Sequence, residues 1–235
     1  GLNSNILDAV KAEGYEKPTA VQSQAIPVAL DKKDLLVSAQ TGTGKTAAFV
    51  LPMLQRLSQD KKNAGSHILR ALILVPTREL AMQVGESVDV YGKGLPFKTV
   101  KLYGGKKIST ETEQLERGVD IIIATPGRLA EHIQKDSVRL TNINYMVLDE
   151  ADRMCDMGFL PDIRRIIKLL PQKRQTLFFS ATMPDDIRQL ADTILHNPVT
   201  VQIGEIAPAE TVSHALYAVT HGLKKPLLFA MLDQT

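Results

Sequence analysis

Seven short apolar runs, separated by stretches of helical pattern, limit more than any other feature what this chain can fold into. They are Leu35-Leu36-Val37, Ala71-Leu72-Ile73-Leu74-Val75, Thr99-Val100-Lys101-Leu102, Ile121-Ile122-Ile123-Ala124, Tyr145-Met146-Val147-Leu148, Thr176-Leu177-Phe178-Phe179 and Val199-Thr200-Val201. Unbroken β-branched and aliphatic runs, unlike alternating ones, describe strands buried on both faces, and intervening helices supply the crossovers that parallel strands require. The pattern predicts an α/β fold, a parallel sheet with helices on both faces. Punctuation agrees with it. Thr77 is placed to cap a helix reaching Val90, and Ser109 to cap one that stops at Gly118. Pro126 and Pro184 fall near helix starts, where a missing N–H costs nothing.

Neither an internal repeat nor a low-complexity stretch breaks the pattern, so residues 1–203 read as one domain. Residues 204–211, Gly204-Glu205-Ile206-Ala207-Pro208-Ala209-Glu210-Thr211, look like a polar linker. A strand-like Ala215-Leu216-Tyr217-Ala218-Val219 and a short amphipathic stretch over 224–232 follow. Two such elements cannot bury a core of their own. They read either as a tail packed on the first domain or as the start of a second.

Composition excludes some classes. The chain has 235 residues, 44% hydrophobic and 23% charged, as in globular domains with a genuine core. No apolar run approaches the roughly 20 residues a membrane-crossing helix needs, and no leader pattern is visible. Cys155 is the one cysteine, which rules out an internal disulfide framework and points to a reducing, cytoplasmic setting. The five histidines are scattered without metal-ligand spacing. A net charge of +2 neither demands nor excludes a nucleic-acid partner. A first residue of Gly1 rather than methionine reads as a processed or recombinant end.

The chemistry gathers after the strands. Ala39-Gln40-Thr41-Gly42-Thr43-Gly44-Lys45-Thr46 follows the first run and opens a helical stretch. Glycines permit the dihedrals and close approach by which backbone N–H groups cradle phosphates, and the helix start adds its positive dipole end. In such a loop Lys45 meets the β- and γ-phosphates and the Thr46 hydroxyl ligates Mg²⁺. The plain alternative is a glycine-rich turn. Asp149-Glu150-Ala151-Asp152 follows the fifth run. Asp149 is placed to hold the magnesium from the other side, and Glu150 to orient and deprotonate a water; alone, the run equally describes a solvated acidic helix start. Pro76-Thr77-Arg78-Glu79, Thr125-Pro126-Gly127-Arg128 and Ser180-Ala181-Thr182 also follow strands, and a parallel sheet brings all such ends to one edge. Arg78, Gly104, Gly105, Lys106, Lys107, Thr125 and Arg128 offer cations and backbone N–H groups suited to a sugar–phosphate chain, with an ordinary mixed-charge surface as the alternative. Aromatics at 5% and no tryptophan do not favour a base-stacking platform.

These motifs, in this order, resemble the N-terminal RecA-like domain of DEAD-box ATP-dependent RNA helicases, most nearly the bacterial RhlE group, over almost the whole chain. Gly14-Tyr15-Glu16-Lys17-Pro18-Thr19-Ala20-Val21-Gln22 is similar to the family's adenine-reading Q motif. Residues 39–46 are similar to motif I, Pro76-Thr77-Arg78-Glu79-Leu80 to Ia, Gly104-Gly105 to the glycine doublet and Thr125-Pro126-Gly127-Arg128 to Ib. Residues 149–152 resemble motif II, and Ser180-Ala181-Thr182 motif III. The resemblance implies a P-loop NTPase fold and ATP with Mg²⁺ as cofactors. It implies that Gln22 reads adenine, that Ala39 to Thr46 bind the phosphates, and that Thr46 and Asp149 hold the metal. Lys45, Asp149, Glu150, Ser180 and Thr182 would form the catalytic set, with Asp152 coupling to Ser180 and Thr182. Pro76, Thr77, Arg78, Gly104, Gly105, Thr125, Pro126, Gly127 and Arg128 would contact RNA through its backbone without reading sequence.

Two departures stand out. The family's aromatic residue upstream of the Q motif has no counterpart before Tyr15, and the arginine-rich signature of a second domain is absent. The resemblance therefore implies that residues 212–235 open a second RecA-like domain, and that the chain binds nucleotide but hydrolyses little. Cys155 stands where relatives usually carry leucine and reads as a small buried apolar side chain rather than a reactive thiol.

Overall fold

The structure, a computed structural model, describes residues 1–60, 66–204 and 215–232. Residues 1–204 form one compact unit, and the described residues after it belong to a second, small unit.

In the first unit α1 (Ser4–Ala12) and α2 (Ala20–Leu30) precede β1 (Leu35–Ser38) and α3 (Lys45–Gln59). Next come β2 (Ala71–Leu74), α4 (Arg78–Tyr91), β3 (Thr99–Leu102), α5 (Ile108–Glu116), β4 (Ile121–Ala124) and α6 (Pro126–Gln134). β5 (Tyr145–Leu148), α7 (Ala151–Asp156), α8 (Leu160–Lys168), β6 (Gln175–Ser180), α9 (Asp185–Ile194) and β7 (Val199–Gln202) complete it. All strands pair in parallel, in the order β3-β4-β2-β5-β6-β1-β7. Every predicted strand of this unit is present, and the sheet is parallel as expected.

Alternate strand residues serve opposite cores. Ala71 and Ile73 pack with Val147, Phe179 and the apolar stripes of α2, α3 and α4. Leu72 and Leu74 pack with Met146, Phe178 and residues from α6, α7, α8 and α9. Burying each large apolar side chain contributes about 1.5–3 kcal/mol, so continuous apolar runs, not alternating ones, are what a sheet covered twice selects. The register sets the ends level: Leu74 lies opposite Ala124 and Leu148, and Ser38 opposite Ser180. Loops after the strands therefore share one rim.

The rim away from those loops is stapled by buried charge. The Arg70 guanidinium, 1% exposed, donates to Asp120 Oδ1 at 2.8 Å, while Asp120 Oδ2 accepts from the Lys98 backbone at 3.0 Å and faces His67 Nδ1 at 2.8 Å. Asp34 accepts from the backbone N–H groups of Thr176 and His196, each at 2.8 Å, fastening β1, β6 and the approach to β7.

Helix boundaries match the punctuation with one shift. Thr77 caps α4 by accepting from Leu80 N at 3.2 Å, and that helix runs one residue past Val90. Pro126 opens α6 and Pro184 is the cap residue of α9. Ser109, however, lies inside the first turn of α5, whose cap position is Lys107 without a side-chain bond. The extended Lys107 backbone takes the cap position instead, and Gly118, at φ +78°, ends the turn two residues past Glu116.

In the second unit α10 (Lys224–Leu232) forms where a helix was expected, after a single 3₁₀ turn at His221–Leu223. The strand expected at 215–219 does not form. A strand requires a neighbour for its backbone N–H and C=O groups, and among the described residues none pairs with this stretch. Of the expected linker only Gly204 lies within the described residues.

Candidate functional site

The loop between β1 and α3 folds as its glycines require. Gly42 and Gly44 hold φ of +81° and +90°, a left-handed conformation costly for any residue with a Cβ. Gly44 caps α3, and a Cβ there would stand 2.6 Å from Gln22 Nε2 and 3.1 Å from Thr19 Oγ1. Close packing of α2 against the loop thus also demands glycine. Thr43 Oγ1 donates to Gln40 O at 2.8 Å, and Ala39 N donates to Ser180 O at 3.2 Å. The buried Lys45 ammonium folds back onto Ala39 O at 3.0 Å. A cation held by one neutral carbonyl inside its own loop fits an anion in the same cradle.

Gln22 is buried and does two jobs. Its Oε1 accepts from Thr19 N at 2.9 Å, closing the capping box of α2, and its Nε2 donates to Gly44 O at 3.2 Å. An amide has two N–H groups and two lone pairs, so one donor and one acceptor site remain. Gln22 lines a mainly apolar cavity of about 180 Å³ with Tyr15, Pro18, Ile26, Leu51 and Tyr91. Tyr15, Ala47 and Tyr91 also border a more polar cavity of about 370 Å³. That second cavity is lined by Thr41, Gly42, Lys45, Thr46, Asp149 and Glu150. The phosphate loop and the acidic pair, about 100 residues apart in sequence, face one space.

Asp149 directly follows β5 and is 3% exposed. Burial pushes its carboxyl up to about 6; the Lys45 ammonium opposes this, and the Glu150 carboxylate adds to it. A buried carboxylate so short of positive charge, lining the same cavity as Thr46, fits a divalent cation of the kind that takes one or two protein oxygens and completes its shell with phosphate and water. Glu150 adopts φ 53°, ψ 50°, left-handed for a residue that is neither Gly nor Asn. Strain of this kind collects at functional turns. Here it turns the chain sharply from β5 into α7, and Arg153 Nη1 holds Glu150 Oε2 at 3.2 Å.

Asp152 and the Ser180–Thr182 segment are brought together. Asp152 Oδ2 accepts from Thr182 N at 2.8 Å and from Thr182 Oγ1 at 2.9 Å. Ser180 Oγ accepts from Asp152 N at 3.2 Å and donates to Thr182 O at 2.8 Å. Partial burial raises the Asp152 carboxyl, but the Thr182, Arg153 and Ser180 donors outweigh it and hold the group below its ordinary value. Cys155, also on α7, is half-buried against the second core rather than fully enclosed. Burial, then Asp186 and Asp156, push its thiol up, away from reactive thiolate.

The remaining predicted residues form the other half of the rim. Pro76, Thr125 and Pro126 are buried, Thr77 and Gly127 partly so, and Arg78, Gly104 and Gly105 are exposed. The Arg78 guanidinium lies 5.2 Å from the Tyr103 ring centroid, and Lys106 Nζ lies 4.5 Å from it. Arg128 is placed differently from its neighbours. Its side chain is 10% exposed and bonds Glu111 Oε2 at 2.6 Å, Glu131 Oε2 at 2.7 Å and Lys106 O at 2.7 Å. Burial alone lowers its basicity, yet these carboxylates hold it above the usual arginine value.

Sequence reasoning missed Tyr91 and Glu111. Tyr91 OH donates to Tyr15 OH at 3.1 Å and lines both cavities, but one tyrosine at a helix end carries no sequence signal. A glutamate in a helix reads as solvated unless its partners are known.

A parallel sheet bearing a glycine-rich phosphate loop after β1 and an acidic strand end after β5 defines a P-loop NTPase domain. Residues 19–190 match the model of the DEAD/DEAH box helicase family, and the chain belongs to that family. It is 39% identical over 234 residues to the DEAD-box ATP-dependent RNA helicase RhpA of Helicobacter pylori, covering 99% of this chain and 46% of that protein. It is 41% identical over 202 residues to the DEAD-box ATP-dependent RNA helicase CshA of Bacillus subtilis, covering 86% of this chain and 40% of that one. The chain thus spans less than half the length of these relatives. Among solved structures it is similar to a DEAD box protein from Methanococcus jannaschii, with a TM-score of 0.80 and 36% identity over 86% of this chain and 54% of that chain. A hypothetical ATP-dependent RNA helicase from Sulfolobus tokodaii gives 0.78 and 34% over 86% and 57%. The family follows from these matches; the finer RhlE-like grouping does not.

Proposed function

We propose that this chain is the ATP- and RNA-binding N-terminal half of an RNA-stimulated ATPase that opens short RNA duplexes or remodels RNA–protein complexes. Residues 1–203 are its first RecA-like domain and residues 204–211 a linker. Residues 212–235 start a second domain, which the 46% coverage of one relative supports. The observation that carries the reading is the single cavity shared by Lys45, Thr46, Asp149 and Glu150.

ATP lies with its adenine in the smaller cavity, where Gln22 offers its free donor and acceptor, and its phosphates along residues 39–46. Lys45 leaves the Ala39 carbonyl for the phosphates. Thr46 and Asp149 would hold Mg²⁺, which when bound neutralises charge on the phosphate oxygens. Glu150 accepts a proton from the attacking water as its oxygen bonds the γ-phosphorus and the bond to ADP breaks. Asp152, through Ser180 and Thr182, ties the acidic turn to β6. Arginines from a second domain supply the remaining charge, and such a finger is worth about 10³–10⁵ in rate. RNA lies across Pro76 to Arg78, Gly104-Gly105 and Thr125 to Arg128, held by its sugars and phosphates. No described helix is long and apolar enough to cross a membrane; with a single cysteine, the proposed setting is the cytoplasm.

A fluorescent ADP analogue tests the site. Lys45→Ala abolishes its binding to the 235-residue chain, and Glu150→Gln in a longer protein with the second domain keeps ATP yet stops turnover. Equal affinity of Lys45→Ala and the parent sinks the phosphate-loop assignment. RNA-stimulated turnover by the 235-residue chain equal to the longer protein's sinks the division of labour.

A further inference from the structure

Glu111 is 1% exposed, although it sits in a helix whose other acidic residues, Glu113 and Glu116, are exposed. Burying a carboxylate costs free energy unless its oxygens are satisfied, and here both are. Oε1 accepts from the Tyr103 backbone N–H at 3.3 Å. Oε2 accepts from Arg128 Nε at 2.6 Å and faces His132 Nε2 at 2.9 Å. His132 is fully buried, and its Nδ1 meets Ser137 Oγ at 2.8 Å. Through Arg128 Nη2 the same carboxylate also reaches Lys106 O at 2.7 Å.

The bonded groups are the two ends of one loop and the start of one helix. Tyr103 and Lys106 bracket Gly104-Gly105, and Arg128 closes the Thr125–Arg128 turn. Gly105 holds φ +92°, and a Cβ there would stand 3.1 Å from Arg78 Nη1, so Arg78 abuts the loop that Glu111 ties down. One buried carboxylate thus sets the spacing between the glycine doublet and the α6 turn. An apolar side chain in its place would leave the Arg128 guanidinium, 10% exposed, without its buried partner and both loops without their tie.

We propose that Glu111 is a positioning residue for RNA: it holds the glycine-doublet loop and Arg128 at the separation that one sugar–phosphate chain bridges. This rests on the RNA path proposed above. Glu111 touches no RNA itself and acts through the Tyr103 N–H, Arg128 and Lys106.

The sign of one measurement separates this role from simple electrostatics. Removing a negative charge beside a polyanion site by itself tightens binding. Positioning demands the opposite. Affinity for a single-stranded oligouridine is followed by fluorescence anisotropy at low salt on the 235-residue chain, alongside binding of the fluorescent ADP analogue. Glu111→Ala is expected to weaken RNA binding roughly tenfold, as loss of a buried charged hydrogen bond does, with ADP affinity unchanged. Glu113→Gln on the exposed face leaves RNA binding equal or tighter. Glu111→Gln keeps one acceptor for Arg128 and falls between parent and alanine variant. RNA binding by Glu111→Ala equal to or tighter than the parent's, with ADP affinity intact, overturns the proposal. If Glu111→Ala also loses ADP binding through misfolding, Glu111→Gln decides: weaker RNA binding supports the role and parental binding overturns it. If the parent itself binds no RNA, the RNA path fails and Glu111's role falls with it, a result distinct from tight binding by the variant.

Discussion

Gly44 shows how much one residue can be asked to do. It holds a left-handed turn, caps α3, and lets Gln22 approach to where a Cβ would be. Gly44→Ala meets conformational strain of about 1–2 kcal/mol and a contact of 2.6 Å with Gln22 Nε2. We expect it to lose nucleotide binding while still folding, checked by ADP-analogue titration beside urea denaturation; undiminished affinity would contradict the loop's proposed role. Arg78, exposed over Tyr103, is expected to meet a phosphate directly. Arg78→Ala should therefore lower the slope of log affinity against log salt by about 0.7, the share of one single-strand phosphate, and an unchanged slope would count against the contact. That Lys45, Thr46, Asp149 and Glu150 would meet was legible in sequence, because each follows a strand end, and they do line one cavity. Arg128 was only half legible. The motif named it, but its partners Glu111 and Lys106 lie 17 and 22 residues away on other elements, and no local pattern encodes that.

At the scale of elements, caps and ties decide where each piece begins and what it is fastened to. Thr77→Ala removes the bond to Leu80 N and should destabilise α4 by about 1 kcal/mol, read as a shifted urea midpoint with an unchanged slope. Asp152 fastens α7 to the end of β6 through Thr182 and Ser180. Its carboxyl lies below the ordinary value when folded. Its contribution is therefore fully present above the unfolded carboxylate range, about 3.9, and is lost as pH falls through the folded value. Asp152→Asn should accordingly be less stable than the parent at pH 7, with the gap closing as the solution is acidified below about pH 4; a gap independent of pH would refute the tie. Strand positions were plain in the sequence, since a sheet covered on both faces admits only unbroken apolar runs. The start of α5 was not, because Ser109 has the chemistry of a cap but Lys107, which offers no capping side chain, holds the cap position. The run at 215–219 had strand composition, yet composition supplies no neighbour.

For the molecule as a whole, the two rims have different duties. One carries the loops, while the other is fastened by Arg70, Asp120 and Asp34, none of which lines either of the two cavities beside the glycine-rich loop. Asp120→Ala leaves the Arg70 charge buried without its closest partner, a change that costs about 3–5 kcal/mol. ADP affinity of the protein that remains folded should not change, so circular dichroism melts and nucleotide titration ought to part company. These fasteners were invisible in sequence because each joins residues dozens of positions apart. Strand order was equally hidden, since the runs announce seven strands and say nothing of who lies beside whom. That order sorts the loops: those after β3, β4 and β2 are neighbours, and those after β5, β6 and β1 are neighbours. The two groups adjoin in the sheet only where β2 meets β5, and there the Asp149 amide bonds the Leu74 carbonyl at 3.0 Å. On the proposed reading, fuel and cargo meet along that seam and on α4, whose Tyr91 borders both cavities, so a change there is the one that both grips feel.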